Sequence, residues 1–114
     1  MPQTFKVETK ADVVTDAISN TNCNVLTAGS NATLVIIGAL ISNKTVVSAN
    51  VDLYLVTSTG DDVYLVRNAP VPAGSSLEVI SGSKIIMESS DVLRARCDAA
   101  TTLDLTISYL EQTP

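Results

Sequence analysis

Histidine and tryptophan are both missing from this chain of 114 residues, and its aromatic content is one phenylalanine and three tyrosines. Without histidine the commonest general base and the commonest metal ligand disappear together, so triads of the Ser-His-Asp and Cys-His kinds are excluded. Any catalysis would have to run on carboxylates or lysines, and no nucleophile stands beside an evident base; the chain reads as a protein without a reaction of its own. A core with so few rings must be built from Val, Leu, Ile and Ala, within an apolar content of 46%. At this length the chain has room for one domain, burying roughly two-thirds of its unfolded surface.

Basic residues are also scarce. Lys6, Lys10, Lys44, Arg67, Lys84, Arg94 and Arg96 are scattered through a chain of net charge −5. Phosphate backbones and anionic lipid both need a concentrated basic face, so neither nucleic acid nor membrane is an expected partner. The longest apolar run, Leu34 to Ile41, includes Gly38 and falls well short of the roughly 20 residues that span a bilayer. Residues 1–10 are polar and lack the layout of a secretory signal, which leads us to expect a soluble protein that stays where it is made. Gly60, Gly74 and Gly82 stand alone in turns, so no phosphate-cradling loop forms and no cofactor is expected. Cys23 and Cys97 are too few and too far apart to announce a metal site or a disulfide framework; they read as small buried thiols.

What the sequence has in abundance is β signal: β-branched residues, alternation, and turn clusters at short intervals. Val51, Leu53 and Leu55 alternate with Asp52, Tyr54 and Val56, residues 58–62 form a tight connection, and Val63 to Arg67 resumes, making residues 50–68 a hairpin. Pro70 and Pro72 lack the amide donors of a ladder, so residues 68–75 must be a crossover or an edge segment. Short strands follow at 77–80 and 84–87, with turns at 81–83 and 88–91. In residues 92–98, Leu93, Ala95 and Cys97 point inward and Arg94, Arg96 and Asp98 outward; Leu103, Leu105, Ile107 and Tyr109 share a face in the last strand. Residues 22–28 form a strand before a turn at 29–31. The run from Leu34 to Ile41 is apolar on both faces, as in a strand that is central and covered twice, or covered once by its own core and once by a partner subunit.

Residues 1–20 are irregular. A helix over 11–18 is an alternative, but Val, Thr and Asp form helices poorly, and an extended arm or an added strand is preferred. The reading is therefore all-β: an antiparallel β-sandwich or jelly roll of two sheets, with about seven to nine short strands. It comprises an N-terminal arm or added strand over 1–20 and a sandwich domain over 21–114.

Other constellations have ordinary explanations. Asp61 and Asp62 sit in a solvated turn without the oxygen-ligand series of a calcium loop, and Glu88 and Asp91 flank another turn. Asn31 and Asn43 open chance matches to the glycosylation pattern. Arg94 and Arg96 share a polar strand face, where pairing with a carboxylate on a neighbouring strand competes with recognition of an acidic partner. Tyr54 and Tyr64 are amphipathic enough for an interface, with partly buried structural tyrosines as the equal alternative.

One stretch resembles a family. The hairpin NVDLYLVTSTGDDVYLVRN over 50–68, the APVPAG crossover over 69–74, SLEVI over 76–80 and KIIMESSDVLRAR over 84–96 together are similar to small β-sandwich virion proteins of tailed bacteriophages. The similarity spans residues 33–110. It implies a capsid decoration or cement protein: located on the virion surface, made in the host cytoplasm, and stabilising the head by bridging neighbouring major capsid protein or other virion subunits. A homo-oligomer is implied, a trimer by preference. A small tail or head-fibre component, or a carbohydrate- or receptor-binding sandwich, is the alternative. The residues expected at interfaces are Phe5 and Val7 for arm docking, and Tyr54, Tyr64, Arg94 and Arg96 for partner contact.

Overall fold

A computed structural model describes residues 3–15, 21–80, 84–99 and 102–113. Among them are nine strands and one short 3-10 turn. The strands are β1 (Gln3–Lys10), β2 (Asn24–Thr27), β3 (Thr33–Asn43), β4 (Ala49–Val56), β5 (Asp62–Val71), β6 (Ser76–Ile80), β7 (Ile85–Met87), β8 (Val92–Cys97) and β9 (Leu103–Gln112); the 3-10 turn covers Thr21–Cys23.

The strands form two antiparallel sheets, compatible with a β-sandwich. One runs β1-β9-β3-β6, with β7 also on β3; the other runs β2-β8-β4-β5. β6 and β7 pair with successive parts of β3, around Ala39–Ser42 and Leu34–Ile36, and so complete one edge between them. Strands that alternate apolar with polar residues bury one face only, and here both inner faces meet in one core. The first sheet contributes Leu34, Ile36, Ala39, Ile41, Leu103, Leu105 and Ile107; the second contributes Val51, Leu53, Leu93, Ala95 and Cys97. Aliphatic side chains fill this core, as the scarcity of rings requires.

The turns follow local chemistry. Gly60 adopts φ 94° in the β4–β5 turn, where a β-carbon would be strained. In that turn the Thr57 amide donates to the Asp61 carbonyl at 2.9 Å. Pro70 is accommodated because β5 is an edge strand, so the edge alternative for residues 68–75 applies as far as Val71. Asn68, with φ 56°, sits where the β4–β5 register shifts.

The segment expected as an arm or added strand supplies β1, which pairs with β9 from Gln3↔Gln112 to Lys10↔Leu105. Residues 11–15 then cross the end of the molecule. Val13 is buried and its amide donates to the Leu103 carbonyl, while the Cys97 amide donates to the Val14 carbonyl. Of the segment considered for a helix, 11–15 is irregular and 16–18 lies outside the described residues, as does the turn expected at 81–83.

Candidate interaction face

The six residues expected at interfaces divide between two opposite faces. Tyr54, Tyr64, Arg94 and Arg96 belong to the outer face of the second sheet, and their partners are largely within the molecule. Asp52 and Arg96 are direct cross-strand neighbours, joined by an ion pair of 3.0 Å. Asp52 also accepts the Asn68 amide at 2.6 Å, so one carboxylate ties β8 to the irregular part of β5. Arg94 donates through Nε to Asn24 Oδ1 at 2.7 Å.

Tyr54 is the main surprise on this face. Alternation aims it away from the core, yet it is fully buried. Its ring lies 5.2 Å from that of Tyr64, which in turn carries the Arg67 guanidinium at 4.9 Å. Burial, reinforced by a hydrogen bond with Cys23, raises the Tyr54 hydroxyl well above the usual phenol range. Cys23 is buried as well, so the segment preceding β2 folds over this part of the sheet. Both cysteines are buried thiols. Cys97, in the core, has the carbonyls of Val13 and Ala99 at 3.2 and 3.1 Å from its sulfur, either of which can accept its one thiol proton.

The outer face of the first sheet is different. Its pairing places Phe5 opposite Leu110, Leu110 opposite Val35, and Val35 opposite Ile86. Opposed residues of an antiparallel ladder share a face, so four strands contribute one unbroken apolar row. Its two ends are well exposed, Phe5 at 77% and Ile86 at 59%. The adjacent row is Val7, Ser108 and Gly38, and neither row contains a charged residue. Ile37, in the bulge of β3, and Leu40 are exposed as well. The next stretch holds an open groove of about 220 Å³ lined by Gly38, Leu40, Glu78, Thr106 and Ser108 among others.

The double-sided apolarity of residues 34–41 is thereby resolved. Leu34, Ile36, Ala39 and Ile41 enter the core, while Val35, Ile37 and Leu40 belong to the outside. Leu110 and Ile86 were not singled out from the sequence. Their outward parity was legible, but only the pairing of β1, β9, β3 and β7 aligns them with Phe5.

A second apolar feature lies at one tip. Val46 and Val47 are 94% and 59% exposed in the β3–β4 loop. The buried Asn43 holds this loop: its Nδ2 donates to the carbonyls of Val47 and Val71 at 2.8 and 3.0 Å, and its Oδ1 accepts from the Thr45 amide at 2.9 Å. Because these contacts are within the loop or to β5 of the other sheet, the valines are presented on a braced loop.

Asp61 and Asp62 are exposed at the far turn. Asp91, by contrast, is buried; its carboxylate accepts the amides of Ser58 and Glu88 at 3.1 and 3.0 Å, joining two turns. No group of three or more potential metal ligands occurs among the described residues, and no helix there is long and apolar enough to cross a membrane. Searches among protein families and curated proteins find no match for the chain.

Proposed function

We propose that this chain is a structural protein of a tailed-bacteriophage particle, of the capsid decoration or cement kind, working by adhesion between proteins. The observation that carries this reading is the apolar row Phe5–Leu110–Val35–Ile86 on a sheet face whose adjacent row, Val7, Ser108 and Gly38, also lacks charge. An apolar patch with few charges is the pattern of an interface centre. On this reading the protein acts as a homo-oligomer on the particle surface and bridges major capsid protein or other virion subunits.

The strand order supports a finer reading of the sandwich as a jelly roll. The chain passes between sheets at most connections and leaves two four-strand paths, β1-β9-β3-β6 and β2-β8-β4-β5. A jelly roll is a frame for assembly as well as for sugar binding, so the surface has to discriminate. Sugar sites on such domains rely on exposed rings; here Tyr54 and Tyr109 are buried and Tyr64 is half-buried beneath Arg67. Phe5 is the one strongly exposed ring among the described residues, which favours adhesion over glycan recognition.

The test is an inventory of purified particles by mass spectrometry, combined with co-sedimentation of the protein with heads that lack it. The expected result is a head protein present in many copies that rebinds bare heads, with Phe5→Ser and Ile86→Ser each weakening rebinding. Absence from particles, or specific retention on a glycan array without head binding, would overturn the proposal.

A further inference from the structure

Sheets that must not stick together have blunted edges, and three of the four edges here are blunted. β2 has four residues and a register shift against β8. β5 contains Pro70 and pairs with β4 through two register shifts. The edge opposite β1 is split between β6 and β7, of five and three residues.

β1 has none of these features, and its charges, Lys6, Glu8 and Lys10, alternate in sign so that a second copy can match them. It has eight residues, contains neither Pro nor Gly, and pairs with β9 without a register shift. Among the described residues its other side joins no strand. Phe5, Val7 and Thr9 lie on the outer face, opposite Leu110, Ser108 and Thr106; Thr4, Lys6, Glu8 and Lys10 have the opposite parity.

A sheet continued through a two-fold axis sets each residue against one of the same parity. With the axis at Val7, Lys6 meets Glu8 of the second copy, Glu8 meets Lys6, Phe5 meets Thr9, and Thr4 meets Lys10. Moving the axis to Lys6 sets Lys6 against itself. Moving it to Glu8 sets Glu8 against itself and Lys6 against Lys10. Like charges directly opposed destabilise a ladder and unlike charges support it, so of these three registers the one centred on Val7 is favoured. Lys6 is free to take part: its bond to Glu111, 2.7 Å long, is solvent-exposed, and such pairs hold weakly.

We propose that two copies of this chain join β1 to β1 in antiparallel fashion about a two-fold axis at Val7. The pair has one continuous sheet whose outer face carries both apolar rows, with Val7 beside Val7 and each Phe5 diagonal to Val7 of the other copy. The proposal rests on the edge strand alone and holds whether or not the chain belongs to a phage particle. It calls for pairs, where the family resemblance implies trimers.

Light scattering and cysteine cross-linking test it on the full chain. The expected mass is that of a dimer or a multiple of it. Under mild oxidation Val7→Cys cross-links with itself, whereas Phe5→Cys and Thr9→Cys cross-link mainly when mixed with each other; the wild type, whose two thiols are buried, serves as the blank. Glu8→Lys and Lys6→Glu are each like-charged across the seam, so each alone dimerises roughly tenfold more weakly, and mixing the two folded variants restores pairing. A monomer, or a trimer with no preference for cross-linking at position 7, would overturn the proposal, as would single charge variants that dimerise normally. A monomer that still binds heads removes the seam and leaves the virion reading; a seam without head binding does the reverse.

Discussion

At the scale of single residues, a few buried polar side chains hold the irregular parts of the molecule. Asp52 accepts from both the Asn68 amide and Arg96, so Asp52→Ala removes a charge-assisted bond and leaves a strained stretch of β5 unsupported. The expected loss is about 2 kcal/mol by urea unfolding. Asn43→Ala releases the Val46–Val47 loop and strands the carbonyl of Val71 near the core; a similar loss of about 2 kcal/mol is expected, with faster hydrogen exchange at Thr45. Asp104 supplies a pH dependence. The hydrogen bond from Lys44, then the amide of Asp12, hold its carboxyl below the ordinary value of 3.8. A folded value below the unfolded one means stability that is fully present above the unfolded value and is lost as pH falls through the folded one. The effect is small because the side chain is 42% exposed. Below about pH 4, Asp104→Asn should therefore lose less stability on acidification than the wild type does, as followed by denaturant midpoints.

At the scale of elements, β3 has two different faces, and substitutions along it should separate folding from binding. Ile36 is fully buried between the sheets, so Ile36→Ala should cost about 2–5 kcal/mol. Phe5→Ser and Ile86→Ser, at the exposed ends of the apolar row, should change stability by no more than about 0.5 kcal/mol. Those same two changes should impair whatever the face binds. A fall in stability comparable to that of Ile36→Ala would instead identify the row as part of the fold's own core. The second sheet offers no such separation, because Tyr54, Arg96 and Arg94 are already engaged within the molecule.

At the scale of the whole molecule, β1 is both an edge of its sheet and the cover of β9. Deleting residues 2–10 would expose the edge of β9, a ten-residue strand whose Leu105, Ile107 and Tyr109 are buried. The expected outcome is a lower denaturation midpoint together with aggregation, since a long bare edge invites pairing with other chains. A deleted chain that does not aggregate and unfolds at the wild-type midpoint would show that β1 is dispensable to the fold.

Composition and alternation by themselves determined that this chain is all-β, that its core is aliphatic, and that β8 and β9 bury Leu93, Ala95, Cys97, Leu103, Leu105 and Ile107. These follow from a side-chain period of two, which is local and visible in the residues. The placing of Phe5, Val7, Tyr54, Tyr64, Arg94 and Arg96 was decided only in three dimensions, because strand pairing is a long-range property. Pairing put Arg96 beside Asp52, and the segment before β2 closed over Tyr54, against its outward parity. It also brought Phe5, Leu110, Val35 and Ile86, from four strands spread over the chain, into one row. Ladder register between distant strands leaves no trace in local periodicity, and the register sets what this surface offers to a partner.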